Sequence, residues 1–376
     1  MLVAYTDQNQ RFVLHSSILP STLKQLRTTT NFYCPQCKQQ LQLKVGHVKI
    51  PHFAHVKKSE CEHSFSDGES PQHLEGKEQL FLLFQTLRLN VQLEPYLPKL
   101  KQRPDLLLHH NNKQFAIEFQ CSPIPNEKLT QRNSGYSSAS IIPIWIPATP
   151  SEISEGINKI SINKQIQQFI ISTKHQQYIM MYNPFLRQFI YLSNILFVHG
   201  NTFIAKVNAL PIQFQNFPFY LPKNLTREEF ERYLIIYNKA KHNYLKSRVL
   251  ISRTGVKDLL LRSIYELRLN LLSLPCYIGV PLKGSEVLNL FSVEWQVALF
   301  YFLKVYQISV GTINKSVISH FLKWSNINGT EETYRVVMDY CDLLKALSIH
   351  DVNENISKEH VDNYLYSQFL AIKSQS

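Results

Sequence analysis

Polar and apolar residues alternate along the first part of this chain, and in a few stretches the alternation gives way to helical spacing. Leu2 to Thr6 and Arg11 to His15 flank Asp7-Gln8-Asn9-Gln10, a run of turn formers, which predicts a β-hairpin. Pro20 to Arg27 follows as a short helix. Leu41, Leu43 and Val45 then alternate with Gln42 and Lys44, Gly46-His47 marks a turn, and Val48 to Phe53 returns as the partner strand. Beyond Ser70-Pro71 the period changes. Leu74, Lys77, Leu80, Phe81, Phe84 and Leu87 recur at helical spacing over His73 to Leu89, with proline near the start, where its missing donor costs little.

Short apolar segments at Val91 to Leu93, Pro104 to His109, Gln114 to Gln120 and Ile141 to Ile146 predict strands, with a helix at Asn126 to Arg132 between the last two. Helix, three strands, helix, strand over residues 70 to 150 makes an α/β layer whose working face lies at the strand ends. Ile153 to Ile171 reads as a helix. Tyr178 to Tyr182, Gln188 to Tyr191 and Thr202 to Val207 read as strands rich in aromatic and β-branched residues. After Pro211, Pro218 and Pro222 the chain turns helical: Thr226 and Glu229 form a capping-box pattern, and Leu259 to Leu274 and Val293 to Tyr306 predict amphipathic or buried helices. The expected organisation is a small β module over residues 1–65, an α/β core over 66–150, a helix plus a β-rich connecting subdomain over 151–222, and a helical basic domain over 223–376. This is a multidomain chain of α+β and α/β parts.

Charge narrows the partners. Lys and Arg outnumber Asp and Glu by 40 to 28, a formal charge of +12, which favours polyanions through counterion release. No run approaches the roughly 20 apolar residues that cross a bilayer, and Met1-Leu2-Val3-Ala4-Tyr5-Thr6-Asp7 lacks the basic segment and apolar core of a secretory signal. The expected setting is the cytoplasm, without membrane insertion. The chain's 6 cysteines fit a reducing compartment. Cys34, Cys37 and Cys61 cluster in one region, which points to a metal rather than to disulfides, whereas Cys121, Cys276 and Cys341 are scattered.

The chemistry concentrates on two acids set into apolar strands, Asp105 in Arg103-Pro104-Asp105-Leu106-Leu107-Leu108 and Glu118 in Phe115-Ala116-Ile117-Glu118-Phe119-Gln120. Aspartate is a poor strand former and an unpaired carboxylate beside a packed core is costly, so the pair points to a hard cation. The Asn111-Asn112 connector lets the strands pair and brings both acids to one end or face. Glu69, His73 and Lys77, spaced by four, drift by only about 40 degrees per step around a helix and form one polar stripe. Packed beside the strands, Glu69 and His73 reach the cation of Asp105 and Glu118, a set suited to Mg2+ or Mn2+. Without an ion, the same residues are a solvated helix face beside two strand-end acids. Gln120 can orient a water but cannot stabilise developing negative charge as an ammonium does, a role open to Lys77.

Cys34-Pro35-Gln36-Cys37, followed by His52, His55, Cys61 and His63, has the spacing of a tetrahedral structural zinc site. Cys34, Cys37, His55 and Cys61 are the favoured ligands for Zn2+, with His52 and His63 as alternates. Arg132 and Tyr136, four apart, suit one helix face turned toward a DNA cleft, or a plain helix-surface pair. Lys239, Lys241, Lys246, Arg248, Arg253, Lys257 and Arg262, interleaved with Tyr237, Tyr244 and Tyr265, could track a nucleic-acid backbone or simply make a charged helix face.

Taken in order, Cys34-x2-Cys37, Pro51-His52-Phe53-Ala54-His55, Glu69-Ser70-x2-His73-x3-Lys77, Gln102-Arg103-Pro104-Asp105 and Glu118-Phe119-Gln120-Cys121 resemble the competence protein CoiA family over about residues 1 to 150. The resemblance implies a PD-(D/E)XK, restriction-endonuclease-like core and a role in natural genetic transformation, in which incoming single-stranded DNA is recombined into the chromosome. It places Asp105, Glu118 and Gln120 in the nuclease core signature, with Glu69 and His73 from the preceding helix. Gln120 stands where a lysine is usual. The expectation is a DNA-processing protein of competence, acting as a Mg2+- or Mn2+-dependent deoxyribonuclease alongside a recombinase and other competence proteins. The alternatives are a non-catalytic single-stranded-DNA-binding recombination mediator and, third, a protein adaptor of the uptake machinery.

Overall fold

The computed structural model describes all residues except 47–48, 57–68, 150–152, 174–175, 252–254 and 371–376. The first sheet is built from β1 (Val3–Thr6), β2 (Arg11–Val13), β3 (Phe32–Tyr33), β4 (Gln40–Lys44) and β5 (His52–His55), in the order β2-β1-β3-β4-β5 with every neighbour antiparallel. Helix α1 (Pro20–Thr29) lies against β4. The alternation read from the sequence is visible in β4, where Leu41 and Leu43 are buried while Gln40, Gln42 and Lys44 are exposed.

Helix α2 (Pro71–Thr86) begins at Ser70, whose hydroxyl accepts the His73 N–H. It covers a second sheet of β6 (Asn90–Leu93), β7 (Leu106–His110), β8 (Lys113–Gln120) and β9 (Ile141–Pro147), in that order. The first three strands are antiparallel. β9 runs parallel to β8 after the crossover helix α3 (Asn126–Ser138). Asn111 and Asn112 turn β7 into β8 with φ of 48° and 59°, a left-handed conformation that asparagine tolerates. Gly76 lets α2 settle on the sheet, because a Cβ there would stand 2.1 Å from the Phe119 ring.

The third sheet corrects the expected helix at Ile153 to Ile171. Its place is taken by β10 (Gly156–Ser161), the single turn α4 (Lys164–Gln167) and β11 (Ile171–Ser172), which join β12 (Gln177–Asn183), β13 (Gln188–His199) and β14 (Thr202–Pro211) in the order β10-β14-β13-β12-β11. Backbone pairing of Gly156 through Ser161 with Val207 through Thr202 decides the matter for a segment whose isoleucines suit a strand better than a helix. The Thr149 N–H donates to the Tyr182 carbonyl at 3.1 Å, so β9 runs on beside β12. Tyr178, Tyr182, Phe189 and Tyr191 consequently share one core with the first two sheets.

The remainder is helical: α5 (Arg227–Ile251), α6 (Leu259–Glu266), α7 (Ser292–Tyr306), α8 (Lys315–Trp324), α9 (Glu331–Ala346) and α10 (Lys358–Leu370) surround a core that includes Trp295, Phe302, Tyr340 and Leu344. The capping box is formed, with Glu229 N–H donating to Thr226 Oγ1 at 3.2 Å and Thr226 N–H to Glu229 Oε2 at 2.9 Å. Helix α6 stops at Glu266, short of Leu274, where Arg268 takes up a left-handed φ of 55°. The basic, aromatic track is only partly a surface. Tyr237 is buried in the core, Arg248 is paired with Asp258 at 2.9 Å, and Lys239, Lys246, Lys257, Arg262 and Tyr265 are exposed. Arg253 lies outside the described residues. Among the described residues no helix is long and apolar enough to cross a membrane.

Candidate functional site

Asp105 directly precedes β7, and Glu94 holds the facing position directly after β6. The Glu94 N–H donates to the Asp105 carbonyl at 2.8 Å. Helix α2, seated through Gly76, delivers His73 and Lys77 to this end of the sheet. Asp105 Oδ2 accepts the Phe119 N–H at 2.9 Å and lies 3.2 Å from His73 Nε2, while Oδ1 lies 3.8 Å from Lys77 Nζ. Lys77 is fully buried and donates to Glu69 Oε1 at 2.8 Å and to Glu94 Oε1. The other oxygen of each glutamate is also engaged. Glu69 Oε2 takes the Met1 ammonium at 2.9 Å, and Glu94 Oε2 accepts the backbone N–H groups of Leu2 and Val3 at 2.9 and 3.3 Å.

One lysine therefore sits among three carboxylates, and the charges hold one another ionised. Burial works to raise the pKa of Glu69, Glu94 and Asp105, but Lys77 and then the Met1 ammonium at the two glutamates, and His73 followed by Lys77 at Asp105, outweigh it and leave all three below their ordinary values. Burial likewise opposes the charge on Lys77, and Glu69, Glu94 and Asp105 hold its pKa above the usual lysine range. A carboxylate whose folded pKa is depressed contributes stability that is complete above its unfolded value and is lost as pH falls through the folded one. Those unfolded values are 4.5 for the glutamates and 3.8 for the aspartate. Unfolding by urea, followed from about pH 6 to about pH 3, is thus expected to show a midpoint that holds and then falls once the pH drops below the ordinary glutamate range. A midpoint flat to the acid end would contradict this arrangement.

Alternation along β8 sends Glu118 and Gln120 to the face opposite Phe119, toward α3 rather than α2. There Glu118 Oε1 accepts from Arg132 Nη2 and from the Tyr136 hydroxyl, and Arg132 Nη2 also donates to the Tyr136 oxygen at 2.9 Å. Burial pushes the Glu118 carboxyl up despite Arg132, and pushes the Tyr136 phenol well above its ordinary value. The reading of Arg132 and Tyr136 as DNA contacts facing a cleft is corrected here. The spacing of four does put them on one face, but that face turns onto the sheet, where a buried glutamate requires a counter-charge. Gln120 donates through Nε2 to the Ser122 carbonyl at 2.6 Å and to its hydroxyl at 3.3 Å.

The structure brings the acids together with different supports: Glu69, His73 and Lys77 reach Asp105 from α2, Glu118 is paired with Arg132 and Tyr136 of α3, and Asp105 lies near enough to Glu118 to help push its carboxyl up. A hard cation still finds ligand atoms. Asp105 Oδ1 and Glu118 Oε2 accept no hydrogen bond from the described residues and keep their lone pairs, while both oxygens of Glu69 are engaged. Glu94 was missed by sequence reasoning. The available signal was its place at the end of an apolar strand, matching that of Asp105 at the start of the next. Its φ of 47° is unfavourable for a glutamate and is held by the bonds at both oxygens.

A second cluster lies in the first sheet. Cys34 and Cys37 occupy the turn between β3 and β4, closed by Lys38 N–H to the Cys34 carbonyl at 3.0 Å, and the register that sets Leu41 opposite His55 brings the histidine alongside. Ligand atoms of Cys34, Cys37 and His55 all lie within 4.8 Å of one another, and Cys37 Sγ is 3.3 Å from His55 Nε2. Cys34 is buried, which pushes its thiol pKa up. Two sulfurs and an imidazole at this spacing fit a transition metal of tetrahedral preference. His52 turns Nδ1 to the Ile50 carbonyl at 2.9 Å. Cys61 and His63 lie outside the described residues.

These two centres fall in matched parts of a known family. The chain belongs to the competence protein CoiA family: the model of its nuclease-like domain matches residues 69–224, and that of its N-terminal domain matches residues 17–64. Among individual relatives, Competence protein CoiA of Bacillus subtilis (strain 168) is 33% identical over 181 residues. That match spans 48% of each protein, so the chain spans about half the length of this relative. No solved structure matches the chain.

Proposed function

We propose that the chain is a DNA-processing protein of natural competence and that its nuclease-like domain cleaves DNA with Mg2+ or Mn2+ held between Asp105 and Glu118. The observation that carries this reading is the pair of hydrogen-bond-free oxygens, Asp105 Oδ1 and Glu118 Oε2, at the ends of adjacent strands inside the region matched to the nuclease-like domain. When bound, such a cation polarises a phosphodiester and makes a metal-bound water more acidic. The chain's own residues prepare the site. His73 and the Phe119 N–H fix Asp105 Oδ2 and so direct Oδ1, and Arg132 with Tyr136 does the same for Glu118. Lys77 is the ammonium nearest Asp105 and stands in for the lysine that Gln120 replaces. The restriction-endonuclease-like arrangement, incoming single-stranded DNA as substrate, a recombinase and other competence proteins as partners, and a cytoplasmic setting belong to the same proposal. In the first sheet, Zn2+ on Cys34, Cys37 and His55 completes it.

A second reading has its own support. Gln120 has its amide tied to Ser122, and Glu118 already carries a counter-charge in Arg132, features that suit a domain that grips single-stranded DNA without cutting it. One assay separates the two. Purified protein is incubated with single-stranded, duplex and branched DNA, with and without Mg2+ or Mn2+, beside Asp105→Asn. The nuclease reading expects metal-dependent cleavage that falls at least about 100-fold in the variant while DNA binding persists. Equal behaviour of the two proteins, with salt-sensitive binding and no cleavage, would leave the mediator reading.

A further inference from the structure

A cavity of about 280 Å³ opens between α5, the segment from Leu271 to Pro281 and α10. Leu234, Leu245, Leu271 and Leu274 make its apolar wall, and Lys241 and Lys358 bring positive charge to it. Lys241 is held in place by design of the backbone. Its ammonium donates to the Ile278 carbonyl at 3.0 Å, and its stem passes so close to Gly279 that a Cβ there would stand 2.6 Å from Lys241 Cδ. Gly279 has φ of 70°. The segment itself is pinned by buried Gln296, whose Oε1 accepts from Gly279 and Val280 N–H at 2.7 and 2.9 Å and whose amide donates to the Val280 carbonyl at 3.0 Å.

No carboxylate of the described residues lies within 4.0 Å of the Lys241 ammonium, although Asp362 also lines the cavity. Burial lowers its pKa to about 8. A half-buried cation whose hydrogen-bond partner is one neutral oxygen is partly uncompensated, and an anion entering beside it improves its balance. The cavity is smaller than the roughly 300–1,000 Å³ usual for metabolite sites. It has room for one large apolar side chain and a carboxylate, the size of a short acidic and apolar stretch of peptide. Two lysines against one aspartate, on a bed of leucines, select an acidic group beside an apolar one.

We propose that this pocket docks an acidic segment of a partner protein, one carboxylate meeting Lys241 and Lys358 while a neighbouring large apolar side chain fills the leucine-lined wall. The assignment is independent of the nuclease reading. Fluorescence anisotropy on the full chain tests it with three labelled probes: a hexapeptide carrying two aspartates beside two leucines, its two-asparagine counterpart, and a single-stranded oligonucleotide. Saturable binding of the acidic peptide is expected, weakened at least about tenfold in the asparagine peptide and in Lys241→Met. Lys358→Met, at an exposed position on α10, is expected to weaken it too with the melting temperature unchanged, which keeps the test valid should Lys241→Met fail to fold. Equal binding of the two peptides, or affinity untouched by Lys358→Met and Lys241→Met, would overturn the proposal. So would displacement of the peptide by the oligonucleotide with loss of oligonucleotide affinity in the same variants, which would make the pocket a nucleic-acid contact.

Discussion

Replacing Lys77 by methionine is expected to destabilise the protein by about 3–5 kcal/mol, read as a lowered urea midpoint at neutral pH. Methionine keeps most of the stem's volume, so the loss would come from charge rather than from a cavity. Without the ammonium, Glu69, Glu94 and Asp105 are left together at one end of the second sheet, each largely shielded from water. Glu94 is the worst placed of the three, being 2% exposed and held in a left-handed backbone conformation. Adding Glu94→Gln to Lys77→Met is therefore expected to recover part of the stability, since the amide oxygen can still accept from Leu2 and Val3. A single variant as stable as the parent would mean that the carboxylates are not balanced by Lys77. The same experiment bears on chemistry, because a lysine that is structurally indispensable is a fixed charge and not a mobile one.

The proposed Zn2+ on Cys34, Cys37 and His55 carries a direct expectation: chelation, or Cys37→Ser, unfolds the first-sheet module. Its strands are short, β3 having 2 residues and β2 having 3, and Phe32 and Phe53, with rings 4.8 Å apart, belong to the core it shares with the other two sheets. So small a unit gains much from a structural ion, whose binding free energy in comparable modules is about 10–16 kcal/mol and is expressed as folding. The purified protein should carry about one zinc per chain by elemental analysis. Chelator should broaden or shift the backbone amide resonances of Val3 through Thr6 and Gln40 through Lys44. A chain that binds no transition metal and melts identically with and without chelator would remove zinc from the account.

The sequence made the two carboxylates conspicuous because an acid inside an apolar strand has few harmless explanations. It also placed α2, α3 and the four strands of the second sheet, since turn formers and period changes are local. What it could not supply was the side of the sheet. Glu118 and Phe119 are neighbours in the chain but face different helices, and only packing of Gly76 on Phe119 settles which helix owns which face. Arg132 and Tyr136 were found as a pair, yet their partner was not, because spacing of four names a helical face without saying what lies across from it. Glu94 escaped notice because an acid after a strand usually ends in water. Its donors, Leu2 and Val3, come from 91 or more positions away. In Ile153 to Ile171 the weak helical period lost to pairing with β14, a contact no local pattern encodes.

Glu94 gives one oxygen to Lys77 and the other to the first strand of the N-terminal sheet, and this divided bonding makes it a seam. A fragment beginning at Glu69 would keep every residue of the carboxylate centre yet lose the donors that satisfy Glu94, leaving a strained and half-solvated acid beside Lys77. The first sheet and the nuclease-like sheet are thereby tied through Glu94 as well as through a shared core, rather than standing as beads on a string. Whatever loosens the former, an oxidised thiol included, is felt at the latter as a change in charge balance.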